Sequence, residues 1–176
     1  MVSSTLEQIP PQTRVFVDAP IFIYHFTGVS EECRRFLERC ESAELDALTS
    51  SVVVAEVAHR LMMVEAVAEG RISPKNVAKK LRGRPDLVRR LQRYQVQVEK
   101  IPLMSVEVVA VDSGTTLRSA RVRSEHGLQV NDSLVLTSAL DHGATALASS
   151  DRDFEPVSEL LLYRPADLPG GGLPER

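Results

Sequence analysis

The sequence predicts an α/β fold, a three-layer sandwich with a central, mostly parallel β-sheet of about five strands flanked by helices. Short continuous apolar runs, typical of strands buried on both faces, alternate with longer segments of helical periodicity. The length of 176 residues suits one well-buried core. We therefore expect a single domain at 1–164, with a helical insert at about 62–101 and a flexible tail at 165–176.

The first half of the chain predicts two strands, each followed by helix. RVFVD, residues 14–18, is the first strand, and Pro20 suits the first turn of the next helix. Ser30 is the expected N-cap of a second helix, which has acids in its first turn. LDALTSS, residues 45–51, predicts the second strand, and the long helix after it continues until Gly70 stops it.

The second half predicts further helices and three more strands. Two helices are expected between 73 and 101, one capped by Ser73 before Pro74 and one starting at Pro85. Asp112 or Ser113 caps the next long helix, and another begins at Asn131 and Asp132. The remaining strands are expected at 106–111, 145–149 and 159–163.

The composition is typical of a globular protein, with 43% hydrophobic and 26% charged residues. No run of roughly 18 apolar residues indicates a membrane span, and the N-terminus does not resemble a secretion signal, so we expect a cytoplasmic protein. Cys33 and Cys40 lie too far apart along one predicted helix to form a disulfide, so we expect buried, reduced thiols. The net charge of −3 does not by itself indicate nucleic-acid binding, but it can conceal a local basic patch.

Four acidic residues that are distant in sequence fall near one edge of the predicted sheet. Asp18 ends the first strand and Asp151 follows the fourth, while Asp132 opens a helix and Glu56 lies in the second turn of another. In parallel sheets, ligands gather outside the carboxyl ends of the strands, where the loops meet. The four side chains are therefore candidates for one shared site.

Each acid also has a local structural explanation. Helix capping accounts for Asp18 and Asp132, an Asx turn for Asp151, and an i,i+4 ion pair with Arg60 for Glu56. Clustering changes the balance, because two carboxylates about 4 Å apart repel by roughly 4 kcal/mol near a protein surface. A cation would relieve that repulsion, and oxygen ligands alone favour Mg²⁺ or Mn²⁺ over zinc. Because Mg²⁺ commonly binds substrate phosphates as well, a phosphodiester is the natural substrate class.

Several segments, in this order and spacing, resemble the PIN-domain ribonucleases, and especially the VapC-like toxins of toxin-antitoxin pairs. These segments are VFVDAPIFIYHF, SSVVVAEVAHRLM, GLQVNDSLVLTSALDHG, LASSDRDFEPV and LLLYRP. The resemblance carries the family's acidic quartet onto Asp18, Glu56, Asp132 and Asp151. Asp153 matches a site that is often acidic, and Ser150 matches a small hydroxyl residue before the last acid. Pro20 departs from the pattern, since the family usually has Asn there.

The resemblance implies metal-dependent hydrolysis of RNA in a PIN-like fold. Asp18, Asp132 and Asp151 would hold Mg²⁺ or Mn²⁺, while Glu56 would bind a second ion or orient the attacking water. It also implies a homodimer held inactive by a small antitoxin protein. The alternative is a catalytically inactive PIN-like module that binds RNA or protein.

Two basic segments are candidates for RNA binding. Residues 79–93 carry seven basic side chains and one acidic side chain. Such a stripe attracts phosphates, although a solubilising surface explains it equally well. The smaller patch lies on the helix that precedes Asp132. The candidate RNA contacts are Arg82, Arg84, Arg89 and Arg90 in the stripe, and Arg118, Arg121 and Arg123 in the smaller patch.

Overall fold

One parallel sheet of six strands forms the centre of the computed structural model, which describes residues 4–168. The spatial order of the strands is β1-β6-β5-β2-β3-β4, and every neighbouring pair is parallel. Their bounds are β1 Ser4–Thr5, β2 Arg14–Val17, β3 Asp46–Ser50, β4 Val106–Val109, β5 Ala146–Ala148 and β6 Leu161–Arg164. The predicted α/β sandwich is confirmed.

The sheet differs from the expectation in strand number. The five predicted strands are present, and the additional strand β1 pairs Ser4 with Tyr163 and Thr5 with Arg164 at one edge. Two residues carry no readable periodicity, so this strand could not be recognised from the sequence. The sheet is also parallel throughout rather than mostly parallel.

Eight α-helices are described, and their bounds follow most of the predicted caps. They are α1 Ala19–Thr27, α2 Glu31–Glu41, α3 Ser51–Ala68, α4 Val77–Arg82, α5 Pro85–Val88, α6 Arg93–Val98, α7 Ser113–His126 and α8 Val130–Asp141. Ser30 and Asp112 cap α2 and α7, each accepting a hydrogen bond from a backbone N–H in the first turn. Asp132 is not the cap of α8, because the helix starts at Val130 and places it in the first turn.

The main core packs helices against both faces of the sheet. Phe16 in the central strand β2 is fully buried and pairs in register with Leu48 of β3 and Leu147 of β5. Continuous burial along β5, from Ala146 to Ala148, explains its unbroken apolar sequence. Cys33 and Cys40 are buried, free thiols whose pKa is raised to about 12 by burial. No helix within residues 4–168 is both long and apolar enough to cross a membrane.

The segment that follows α3 forms a second, smaller core. Its buried members are Ala66, Ile72, Leu81, Leu87 and Leu91. Three short helices occupy this segment instead of the two expected, and Ser73 does not cap the first of them. That helix, α4, begins after Asn76, which adopts a left-handed conformation with φ of 54°. Pro85 does start α5, as expected.

Glu65, buried near the end of α3, explains why a third helix starts at Arg93. Its carboxylate accepts hydrogen bonds from the backbone N–H groups of Gln92, Arg93 and Tyr94, at 3.1, 3.2 and 2.8 Å. These three N–H groups lie at the start of α6. The first N–H groups of a helix have no hydrogen-bond partner within the helix, so they need one from elsewhere. A side chain 27 residues earlier thus supplies the cap that the local sequence lacks.

The start and end of the described chain are attached to the first turn of α2. Buried Glu32 accepts hydrogen bonds from the backbone N–H groups of Leu6 and Ala166, at 2.8 and 2.6 Å. Asp167 accepts hydrogen bonds from the Ser30 hydroxyl and the Glu32 backbone N–H. Ala166 and Asp167, within the tail expected at 165–176, therefore contact α2, and 169–176 lie outside the described residues.

Replacing Glu65 with Ala is expected to loosen the small core while leaving the main core folded. Three backbone donors would lose their partner, at a cost of about 1–3 kcal/mol in the free energy of unfolding. Hydrogen exchange should show faster exchange at residues 92–94. Glu69→Ala, one turn later, removes ion pairs of exposed arginines and serves as the matched control. Equal protection of 92–94 in wild type and Glu65→Ala would contradict this role.

Candidate active site

The carboxyl ends of β2 and β5 bring the first and last predicted acids to the same edge of the sheet. These strands are direct neighbours, and Asp18 follows the last residue of β2. Its backbone N–H donates to the carbonyl of Ala148, the last residue of β5, at 3.0 Å. Asp151 lies three residues beyond Ala148. Parallel pairing thus brings together parts of the chain that are more than 130 residues apart.

Asp18 is a buried carboxyl group with two internal hydrogen bonds. Its Oδ1 accepts from the Ala19 backbone N–H at 2.7 Å, and its Oδ2 accepts from the Ser149 hydroxyl at 2.6 Å. Burial raises its pKa to about 7, against the lowering effect of both hydrogen bonds. The negative charges of Glu56 and Asp132 raise it further. Ionised Asp18 is therefore costly at neutral pH unless a positive charge lies nearby.

Asp132, Asp151 and Asp153 form the carboxylate cluster. One carboxylate oxygen from each lies within 4.8 Å of the others. Asp132 is buried, Asp151 is half-buried and Asp153 is exposed, so the cluster opens to solvent on one side. Its oxygen donors, without His or Cys, fit a hard dication such as Mg²⁺ or Mn²⁺, bound directly or through water.

A 3₁₀ turn at Arg152–Phe154 explains the Asp-Arg-Asp sequence that follows β5. The Asp151 Oδ1 accepts a hydrogen bond from the Asp153 backbone N–H at 2.9 Å, which is the predicted Asx-type contact. Phe154, 1% exposed, anchors the turn in the main core. Asp151 therefore makes the local capping contact and also belongs to the carboxylate cluster.

Ser149 is the site residue that the sequence analysis missed. Its hydroxyl donates to Asp18 and accepts from the Asp151 backbone N–H at 3.0 Å, so it connects the two acid-bearing strand ends. Ser150, the residue chosen from the resemblance, contributes its backbone carbonyl to Arg164 at 3.0 Å. In the sequence, the available signal was a serine directly after an apolar strand, where burial is expected. Ser149 is fully buried, so its hydroxyl needs a hydrogen-bond partner within the protein.

Glu56 lies beside the cluster rather than within it. It is half-buried in the second turn of α3, and its charge acts on Asp18. Ser50 is the N-cap of that helix, its hydroxyl accepting from the Val53 backbone N–H at 3.4 Å. Glu56 is thus part of the electrostatic surroundings of Asp18.

The predicted arginines on α7 are partly occupied by protein contacts. Arg118 forms an ion pair with Asp141 at 2.6 Å, and Arg121 forms one with Glu125 at 2.7 Å. Arg123 donates to the hydroxyl of Ser133, the residue after Asp132, at 3.1 Å. Of the three, Arg123 contacts the helical turn that carries a site acid.

The basic stripe lies beyond the other end of α3. Arg82, Arg84, Arg89 and Arg90 are all exposed. From Glu56 to Ala68, the last residue of α3, the helix rises about 18 Å at 1.5 Å per residue. The stripe and the acidic cluster are therefore separate parts of the surface, connected by one helix.

A model of the PIN domain family matches residues 15–160 of this chain. Solved structures with a similar fold include VapBC2 from Rickettsia felis bound to a promoter DNA fragment, with 16% identity and a TM-score of 0.57. The alignment covers 86% of this chain and 98% of that chain. No curated protein matches the sequence.

Two further toxin structures share the fold. VapC20 from Mycobacterium tuberculosis, described as a toxin that cleaves the sarcin-ricin loop, has 15% identity and a TM-score of 0.55, with 82% and 95% of the two chains covered. A toxin-antitoxin complex from Klebsiella pneumoniae has 18% identity and a TM-score of 0.52, with 83% and 94% covered. At these identities the likeness concerns the fold alone.

The raised pKa of Asp18 predicts a pH-dependent stability in the absence of metal. The unfolded chain releases this proton near pH 3.8, whereas the folded protein holds it until about pH 7. Between pH 3.8 and about 7 the folded state therefore binds more protons than the unfolded state. The contribution of Asp18 to the free energy of unfolding falls as the pH rises through this range and is constant above it.

The comparison of wild type with Asp18→Asn in EDTA isolates that contribution. Denaturant titrations at a series of pH values should show the variant gaining stability relative to wild type from about pH 4 to about pH 7, with no further gain above. A stability difference that stays constant over this range would exclude a buried, protonated Asp18.

Proposed function

Because this chain belongs to the PIN domain family, we propose that it is a divalent-metal-dependent endoribonuclease, acting as the toxin of a toxin-antitoxin pair. The observation that carries the proposal is the convergence of three carboxylates within 4.8 Å, beside the buried carboxyl of Asp18. Such a grouping of like charges is electrostatically unfavourable alone and suits a bound dication. Mg²⁺ and Mn²⁺ both fit its oxygen donors.

We assign the ion to Asp132 and Asp151, with Asp18 completing the site directly or through water. Asp153, first regarded as auxiliary, becomes a further ligand because its carboxylate lies in the cluster. When bound, the ion lowers the pKa of water and stabilises the charge on the attacked phosphate.

Protein groups around the cluster have defined roles in this proposal. Ser149 fixes the Asp18 carboxylate and the backbone before the Arg152–Phe154 turn, so both strand ends keep one geometry. Glu56 orients or deprotonates the attacking water from the side of α3. The exposed side of the cluster, at Asp153, is where a phosphodiester enters.

RNA is the substrate class that the charge distribution supports. The exposed stripe at 79–93 provides a basic surface in a chain of net charge −3. VapC20, a structural neighbour, is described as cleaving an RNA loop. We propose that this chain also cleaves RNA because it has both an acidic cluster and a basic stripe.

An antitoxin partner is proposed from the same neighbours, two of which are toxin-antitoxin complexes. A small protein placing a segment over the cluster would block substrate entry. Co-expression with the product of a neighbouring short reading frame tests for the antitoxin.

We also propose that the chain forms a homodimer. Light scattering of the purified chain tests its oligomeric state.

Asp132→Asn is expected to abolish cleavage, with a loss of at least about a hundredfold, because it removes a ligand charge without changing side-chain shape. A fluorogenic RNA with Mg²⁺ or Mn²⁺ gives the rate, and circular dichroism checks the fold. Asp141→Asn, at the exposed end of the same helix, is the matched control and should remain active. Full activity of Asp132→Asn would refute the site, and a wild type that binds but does not cleave RNA would favour the inactive module.

Ser149→Ala is expected to weaken Mn²⁺ binding about tenfold, because groups that orient metal ligands typically contribute this much affinity. Isothermal titration calorimetry measures the effect. Ser150→Ala, the adjacent residue of the same type, should bind Mn²⁺ as wild type does. Equal affinity in the two variants would contradict the positioning role of Ser149.

A further inference from the structure

A depression that is open to solvent lies on the surface of the small core, outside the acidic site, and is lined by cationic side chains. Its volume is about 370 Å³, and its lining residues are Arg71, Ile72, Ser73, Lys80, Gly83 and Arg84. Three of the six carry a positive charge and none carries a negative charge. We call this the insert cavity.

The surroundings of the insert cavity are strongly positive. Residues 69–93 contain nine Lys and Arg but two Asp and Glu, although acids outnumber bases by 24 to 21 in the whole chain. Such a local excess attracts anions, which the net charge of −3 would not suggest.

Ser73 and Lys80 form a pair suited to an anion. The Lys80 ammonium donates to the Ser73 hydroxyl oxygen. Because that oxygen serves as acceptor, the hydroxyl proton is available to donate elsewhere, and the ammonium keeps two further N–H groups. Both side chains are on exposed residues that line the same cavity.

The two arginines add charge from the sides of the cavity. Arg71 donates through Nε to Glu69 at 2.5 Å, which uses one edge of its guanidinium. Arg84 lies 3.9 Å from Asp86, too far for a hydrogen bond. Planar guanidinium groups present paired donors that match the oxygens of a phosphate.

The backbone of the cavity is fixed by apolar anchors. Ile72 precedes Ser73, Leu81 follows Lys80, and both are buried in the small core. Gly83 leaves room, since a Cβ there would meet one backbone oxygen at 3.9 Å. The donors therefore surround an open space on a packed support.

We propose that the insert cavity binds a backbone phosphate of the RNA substrate, as an anchoring site separate from the acidic cluster. This inference rests on the proposed ribonuclease function. The two sites are joined by α3, which rises about 18 Å between Glu56 and Ala68. An RNA strand that occupies both sites must run along this helix, so the cavity holds a phosphate several nucleotides from the cleaved bond.

The test compares two double variants that remove the same charge from the same segment. Lys80→Ala with Arg84→Ala empties the cavity of two donors, while Lys75→Ala with Lys100→Ala removes two exposed bases of the same insert that do not line it. A fluorescein-labelled single-stranded RNA of about 15 nucleotides is titrated in EDTA, which prevents cleavage, and anisotropy gives Kd over a salt series.

We expect the cavity variant to weaken binding about tenfold and to flatten the salt dependence, while the control changes Kd less than about threefold. Equal weakening in both variants would show diffuse attraction and overturn the proposal, as would unchanged binding by the cavity variant. Loss of affinity for a polyglutamate peptide but not for RNA would assign the cavity to an acidic protein partner, and also overturn it.

Failure of this inference is distinguishable from failure of the proposed function. The binding titration contains no metal and does not depend on cleavage, whereas the cleavage assay with Asp132→Asn does not depend on the cavity. With a dinucleotide substrate, too short to reach both sites, the cavity variant should cleave at the wild-type rate. A reduced rate on that substrate would contradict a separate anchoring site.

Discussion

Repulsion among carboxylates at the carboxyl edge of the sheet is the constraint on which the site depends. Three acids lie within 4.8 Å, and a fourth, Asp18, is so deeply buried that its pKa rises to about 7. The fold maintains this arrangement through rigid supports, since parallel pairing holds β2 beside β5 and Phe154 anchors the turn that carries Asp153. In the proposed function a dication compensates this charge, and such an ion also assists phosphodiester hydrolysis.

Positive charge is concentrated at the other end of α3, where residues 69–93 contain nine Lys and Arg but two Asp and Glu. On α7, Arg118 forms an ion pair with Asp141 at the far end of α8, and Arg123 donates to Ser133, next to Asp132. The insert instead concentrates exposed bases around a cavity, on a small core whose last helix begins at the buried carboxylate of Glu65. Helix α3 thus connects a region suited to a metal ion with a region suited to phosphate. This arrangement fits a nuclease that binds an extended RNA strand.

Patterns within short stretches of sequence were sufficient for much of the fold. Continuous apolar runs marked β2 to β6, and Ser30 and Asp112 marked the starts of their helices. The sequence could not supply long-range partners. Strand β1 exists because Ser4 and Thr5 pair with β6, and α6 starts because Glu65 reaches it from 27 residues away. The acids were chosen from strand ends and a family resemblance, whereas Ser149 and the place of Asp153 follow from side-chain geometry.

Anomalous diffraction from crystals soaked in Mn²⁺ would test the metal site most directly. The account predicts a manganese peak among Asp132, Asp151 and Asp153, with carboxylate oxygens at about 2.1 Å, and no such peak in Asp132→Asn crystals. Wild-type crystals at saturating Mn²⁺ that show no peak among these carboxylates would contradict it.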